Sequence, residues 1–211
     1  MLRRFETYAF LPGVTSEQRQ WLADVLVGAG RNIPEVLGCA VGWNRSGTSS
    51  DLVWEHYFES PASYQRYMVH PYHADLIDRG VLADSPERVV ETARGAGLFG
   101  YVCDAAPVVD HPSRLVALVD VDPDAGRAGT AELWERLATA AGACRATGIS
   151  FGSNSLAGAW FDGVTPLPGP PPRWSHVWEA AIPHDAEPDL GAALGAAPVR
   201  ALRQLRYDVV R

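Results

Sequence analysis

The second half of this chain echoes the first in the same order, and that repetition limits the fold more than any single motif. Arg3 to Phe10 alternates as a strand, with Phe5, Thr7 and Ala9 on one face and Arg4, Glu6, Tyr8 and Phe10 on the other, before Pro12-Gly13 turns it. Arg114 to Val121 repeats the pattern and ends in Asp122-Pro123. Thr15 with Gln18 forms a capping box that opens a helix burying Trp21, Leu22, Val25 and Leu26, with Gly28 and Gly30 as its end. A second helix, Thr130 to Gly142, carries Trp134 in the place of Trp21. Val41-Gly42-Trp43-Asn44 returns as Phe151-Gly152-Ser153-Asn154, and Leu52-Val53-Trp54-Glu55 as His176-Val177-Trp178-Glu179. The last echo is faint: His70-Pro71-Tyr72-His73 becomes Ala197-Pro198-Val199-Arg200 before a closing strand at Arg206 to Val210.

Each half therefore reads as strand, helix, two strands, helix, strand, a ferredoxin-like βαββαβ unit of the α+β class. The expected units are residues 1–108 and 109–211, the second interrupted by a proline-rich insertion at 156–172. A four-stranded antiparallel sheet with helices on one face must bury the other face. Two such sheets in one chain are expected to cover each other as an α+β barrel, so that the pairing is intramolecular, with further oligomerisation open.

The titratable chemistry gathers in Phe58 to His73, FESPASYQRYMVHPYH. Ser60-Pro61 starts a helix, and Tyr64, Tyr67 and Met68 share one of its faces. Pro71 breaks it, leaving Tyr67, His70 and His73 along one edge; they either converge on a small volume or simply cap the helix end. The third strand, Leu52 to Phe58, places Trp54 and His56 on the same face as Leu52.

What the chain lacks is also informative. All 18 Lys and Arg positions are arginine, which removes Schiff-base and pyridoxal phosphate chemistry, and there is no phosphate-binding GxxxxGK[ST] loop. A net charge of −7 without a basic block argues against nucleic acid as partner. No apolar run reaches membrane-spanning length and no signal peptide is legible, so a cytoplasmic protein without membrane contact is expected. Cys39, Cys103 and Cys144 lack metal or disulfide spacing and read as buried packing. His70 and His73 with Glu6 lack a fixed geometry for a metal, and none is expected.

The run LVWEHYFESPASYQRYMVHPYHADLID, with IPEVLGCAVGWN before it and the first strand leading into PGVT, resembles the Dabb family of dimeric α+β barrels, also called stress-responsive A/B barrels. The resemblance covers residues 1 to about 106, with the second half as a degenerate repeat. It is distantly similar to olivetolic acid cyclase-type polyketide cyclases, which close a polyketide by aldol condensation without a cofactor. What this resemblance implies is a cofactor-independent cyclase or lyase of secondary metabolism acting on a small, apolar, polyketide-like carbonyl substrate. His73 matches the family's general base, Tyr67 its helix tyrosine and His70 the companion histidine. The family's first-strand and third-strand histidines fall at Arg4 and Leu52, which are departures. In the second half, His176 takes the third-strand position, while Leu194, Ala197 and Arg200 replace the tyrosine and both histidines.

From the residues themselves, Arg4, Glu6 and Tyr8 would share a space with His56, Tyr67 and His73 if that face of the first strand meets the helices. The expected roles are His73 as base, Tyr67 as its partner and oxyanion donor, and Arg4 with Glu6 as the groups fixing substrate. Tyr8, Trp54, His56, His70 and His176 are the expected binding residues. Arg4 and Glu6 could equally be a sheet-edge ion pair, and His56 a buried imidazole satisfied by backbone. Trp160 and Phe161 in the insertion are candidates for a lid. Other readings are a cofactor-free oxygenase and a non-catalytic, ligand-binding stress-response barrel.

Overall fold

The computed structural model describes residues 1–91, 97–104, 111–154, 174–195 and 197–210, with Gly97 and Leu98 described by backbone alone. The boundary at 108/109, the insertion and its Trp160 and Phe161 lie outside the described residues. The first half runs β1 (Leu2–Tyr8), α1 (Ser16–Asn32), β2 (Gly38–Asn44), β3 (Leu52–Phe58), α2 (Pro61–Met68), a π-helical turn (Tyr72–Ile77), α3 (Asp78–Val81) and β4 (Gly97–Val102). The second runs β5 (Ser113–Val121), α4 (Gly126–Ala143), β6 (Thr147–Ser153), β7 (His176–Ala181), α5 (Leu190–Leu194) and β8 (Val199–Val209).

The strands form one antiparallel sheet in the order β4-β1-β3-β2-β8-β5-β7-β6. Each half contributes the same ferredoxin-like order, read from its own fourth strand to its second. One seam between halves is a ladder from β2 to β8, Gly42 opposite Val209 through Asn44 opposite Tyr207. At the other seam β4 approaches β6: the Gly100 N–H donates to Asn154 Oδ1 at 3.1 Å. Tyr101 lies over Gly152, where a Cβ would come within 2.7 Å of the ring. The sheet is therefore a nearly closed barrel, as the repeat implies.

Three cores follow from strand alternation. One, between the first sheet half and its helices, holds Leu22, Leu26, Val41, Trp54, Phe58 and Tyr67. Its counterpart in the second half is made by Leu115, Val119, Leu133, Leu137 and Trp178. The third fills the barrel with Phe5, Val53, Phe99, Val116, Val177 and Leu205.

Inside that third core lies an ion network that residue spacing does not disclose. Arg3 donates from Nε to Glu179 Oε1 at 2.7 Å and from Nη2 to Oε2. Arg114 also donates to Glu179 and lies 3.4 Å from Glu55. The Tyr101 hydroxyl donates to Glu179 and that of Tyr207 to Glu55. All six side chains are buried. Burial alone would discharge Arg3, but Glu179 and Glu55 hold it charged and push its pKa up. Every named member of the first half has its partner at the matching register of the second: Arg3 faces Tyr101 across its ladder, as Arg114 faces Tyr207.

Several element boundaries differ from expectation. α1 continues through Gly28 and Gly30 to Asn32, because both glycines serve close packing rather than termination. A Cβ on Gly28 would fall 2.0 Å from the Tyr72 hydroxyl, and one on Gly30 2.9 Å from Cys39 Sγ. Trp21 is only half-buried. β8 begins at Val199 rather than Arg206, and α4 begins four residues before Thr130. The three cysteines are half-buried and outside any disulfide, not fully buried. No helix among the described residues is long and apolar enough to cross a membrane.

Candidate functional site

The polar face of β1 does meet the helices. Leu2, Arg4, Glu6 and Tyr8 lie opposite Phe58, His56, Trp54 and Leu52 of β3, so Arg4 neighbours His56 and Glu6 neighbours Trp54 on one face. α2 lays Tyr64 and Tyr67 over them. Ser60 caps that helix by accepting from the Ser63 N–H at 3.2 Å, and Pro61 fills its first turn. The π-helical turn after Pro71 then brings His73 down beside Tyr67. That turn is fastened to α1 by the Tyr72 hydroxyl, which donates to the Val25 carbonyl at 2.9 Å. Only a glycine at 28 leaves room for this contact.

The Tyr67 and His73 rings meet edge to face with centroids 4.4 Å apart, and both side chains are buried. His56 stacks on Trp54 at 4.0 Å and lies 5.5 Å from the Tyr67 ring. The Arg4 guanidinium sits over Tyr64 and Tyr67, 4.9 and 5.8 Å from their centroids. It pairs with Glu6, which also accepts from the Tyr8 hydroxyl, and Arg4 Nη1 is 2.7 Å from His56 Nε2. The Arg4–Glu6 pair is thus real. It is not a sheet-edge pair, because β1 lies between β3 and β4 with Arg4 1% exposed. His56 takes its partner from Arg4 rather than from backbone.

Around these contacts, Arg4 Nε, Trp54 Nε1, His56 Nδ1, Tyr64 Oη, Tyr67 Oη and His73 Nδ1 are buried without a hydrogen-bond partner among the described residues. A buried polar atom left unmade costs about 1–3 kcal/mol, and these six lie in one cluster under α2 and the π-helical turn. Together they suit a ligand that carries oxygen acceptors and an acidic hydrogen.

Electrostatics sets the protonation states. Burial, then the Arg4 charge, lowers His73 to about 3, against a weaker opposing hydrogen bond to the Met68 carbonyl. His73 is therefore neutral at physiological pH, with Nδ1 free to accept a proton, and is far less basic than an ordinary histidine. Burial, Arg4, His73 and Arg3 likewise lower His56. Burial raises Tyr67 well above its ordinary value; Arg4 opposes this, and no group among the described residues accepts the phenolic proton.

Asp78 is a member of the site that helical spacing does not predict. Its Oδ2 lies 3.6 Å from His73 Nδ1, and burial followed by the Glu6 charge raises its carboxyl to about 6. The Asp78 N–H bonds to the His73 carbonyl five residues back. That π-helical spacing, not the i+3 or i+4 of an α-helix, stacks the two side chains.

Two expected binding residues do not join the cluster. His70 is half-exposed at the turn, where its Nδ1 accepts from the Tyr72 N–H at 3.2 Å. His176 lies on β7 in the other half, bonded to Ser175 Oγ at 2.9 Å and packed 5.4 Å from Trp134. Where the first half has Arg4, Glu6, Tyr8 and His56, the same register in the second carries Leu115, Ala117, Val119 and Ala180. No trio of His, Cys, Asp or Glu among the described residues is arranged to hold a metal ion.

Residues 2–90 match the family model of the stress-responsive A/B barrel domain, Dabb. None of the curated proteins compared matches the chain. Among solved structures, a protein from Lactobacillus acidophilus NCFM named as a monooxygenase is 8% identical with a TM-score of 0.60, covering 99% of this chain and 93% of that one. Chlorite dismutase from Candidatus Nitrospira defluvii is 12% identical with a TM-score of 0.58, covering 100% and 91%. At such identities the likeness is one of fold, and it extends over both halves.

Proposed function

We propose, from the match of residues 2–90 to the stress-responsive A/B barrel model, that the protein is a cofactor-independent cyclase or lyase for a small, largely apolar carbonyl compound. The observation that carries this reading is the buried edge-to-face pair of Tyr67 and His73, each with an unpartnered polar atom, beside the Arg4 charge. His73 takes the proton next to the carbonyl. The electron pair moves onto the carbonyl oxygen, where Tyr67 donates a hydrogen bond and Arg4, held by Glu6, supplies positive potential. The resulting enolate then closes a ring or expels a leaving group.

The low basicity of His73 works against proton removal, and the Arg4 field compensates at the substrate oxygen. The Arg4 field that disfavours an imidazolium favours an enolate in the same place, so transfer from substrate to His73 exchanges one for the other. Asp78, at 3.6 Å, stabilises the imidazolium once it forms.

The test is deuterium wash-in at the carbons flanking the carbonyl of 2-heptanone, followed by proton NMR in heavy water. Wild-type protein is expected to accelerate exchange. Tyr67→Phe and His73→Gln are expected to lower the rate about 10²–10⁴-fold, with melting temperatures near that of the wild type. Full exchange activity in both variants overturns the roles of Tyr67 and His73. A second reading, a cofactor-free oxygenase, draws on the fold shared with the monooxygenase-named protein. Oxygen uptake during turnover would favour it. Ligand binding with neither exchange nor oxygen uptake would leave a non-catalytic barrel.

A further inference from the structure

His56 is held by three aromatic rings and one guanidinium. Its ring is stacked on Trp54 at 4.0 Å, meets Phe58 edge-on at 5.1 Å and tilts toward Tyr67 at 5.5 Å. Arg4 Nη1 lies 2.7 Å from its Nε2. A guanidinium stays protonated and has no lone pair to offer. This contact is therefore a hydrogen bond only when His56 Nε2 is the acceptor. The ring is neutral, since burial and the neighbouring Arg4 oppose a second proton. Its one proton then resides on Nδ1, which is buried and has no acceptor among the described residues. His56 is thus a fixed donor, while His73, whose ring meets that of Tyr67 at 4.4 Å, offers a free ring nitrogen. In the second half both members of the unit are replaced together, Arg4 by Leu115 and His56 by Ala180.

We propose that Arg4 locks His56 as the Nδ1–H tautomer and that this neutral N–H is a catalytic donor, acting with the Tyr67 hydroxyl on the carbonyl oxygen of the substrate. The inference rests on the function proposed above and divides its two buried histidines by role. As the C–H bond breaks, its proton goes to His73 and its electron pair becomes the enolate. The two donors hold the oxygen that gains charge, and His56 gives up no proton. A neutral imidazole suits the task because it polarises the oxygen without surrendering its own hydrogen. The ligand class implied is one with a carbonyl or enol oxygen beside an apolar body, since Trp54 and Phe58 flank the donor.

Two measurements on the full-length chain test this. Long-range proton–nitrogen NMR of the histidine rings, with no ligand added, is expected to show His56 protonated at Nδ1 and bare at Nε2. Arg4→Leu, which removes the donor from His56 Nε2, is expected to let the other tautomer appear. Deuterium exchange of 2-heptanone is then compared in His56→Ala, His56→Asn and His56→Gln. Loss of the donor is expected to lower kcat about 10²–10³-fold with a smaller change in KM. Asparagine, whose amide reaches the Nδ1 position, should recover more of the rate than glutamine, whose amide reaches Nε2. A wild-type proton on Nε2, or a kcat for His56→Ala equal to that of the wild type, overturns the proposal. Wild-type protein that exchanges nothing overturns the functional reading beneath it, and the tautomer spectrum tells that failure apart from a wrong tautomer.

Discussion

The two halves of the barrel agree on one side of the sheet and disagree on the other. Facing the interior, Arg3, Glu55 and Tyr101 recur as Arg114, Glu179 and Tyr207, and the six interlock across the seam. Facing the helices, Arg4, Glu6 and His56 give way to Leu115, Ala117 and Ala180 at the same register. A barrel of two units needs its interior built twice, because each half supplies the other's counter-charges. A site needs building only once. The side of the sheet that matches between halves therefore reports architecture, and the side that differs carries the proposed site.

Breaking the shared side should have the largest effect. Glu179→Ala leaves Arg3 and Arg114 buried with Glu55 as their one remaining carboxylate among the described residues, and removing one partner from a buried ion pair costs about 3–5 kcal/mol. Chemical denaturation is expected to show that loss; a change within experimental error would remove the interior network as a source of stability. Next comes the differing side. Making the first half resemble the second through Arg4→Leu, Glu6→Ala and His56→Ala together should retain the barrel by circular dichroism and reduce ketone exchange to background. Activity surviving in the folded triple variant would move the site elsewhere.

A smaller effect is expected from pH. His73 titrates at about 3 when folded and near 6.5 when unfolded, so the unfolded chain binds the extra proton between those values. Its contribution to stability is present above pH 6.5 and is lost as the pH falls, by about 2 kcal/mol between pH 6.5 and 5. His56 acts in the same direction. Asp78, raised from 3.8 to about 6, acts in the opposite one, its contribution fading as pH rises through that window. The fall in melting temperature from pH 7 to 5 should be shallower in His73→Gln; an identical fall would mean that the histidine is not held neutral. The smallest effect belongs to His176→Gln in the second half, which should leave the exchange rate unchanged, and a substantial loss there would give that half a working part.

Much of this is legible in the residues because it rests on local rules. The Thr15–Gln18 capping box, the Ser60-Pro61 start and the alternation of Arg4, Glu6 and Tyr8 against Arg3, Phe5 and Thr7 all depend on near neighbours. The facing of His56 toward Tyr67 follows from the same alternation. What escapes depends on register between distant segments. Arg3 and Glu179 are separated by 176 positions, and nothing in either strand says that they touch. Asp78 escapes because α-helical spacing pairs His73 with residues three or four places on, whereas a π turn brings the fifth. Gly28 reads as a helix end because the sequence does not show that Tyr72 needs its space. His176 reads as a binding residue by its match to a strand position, although its surroundings have lost their polar partners.

The histidines themselves allow both halves to be tested at once. In a ring-nitrogen NMR titration with 2-heptanone, the resonances of His56 and His73 should move together while that of His176 stays fixed. A response at His176 alone, or at none of the three, would contradict the assignment of the site to the first half.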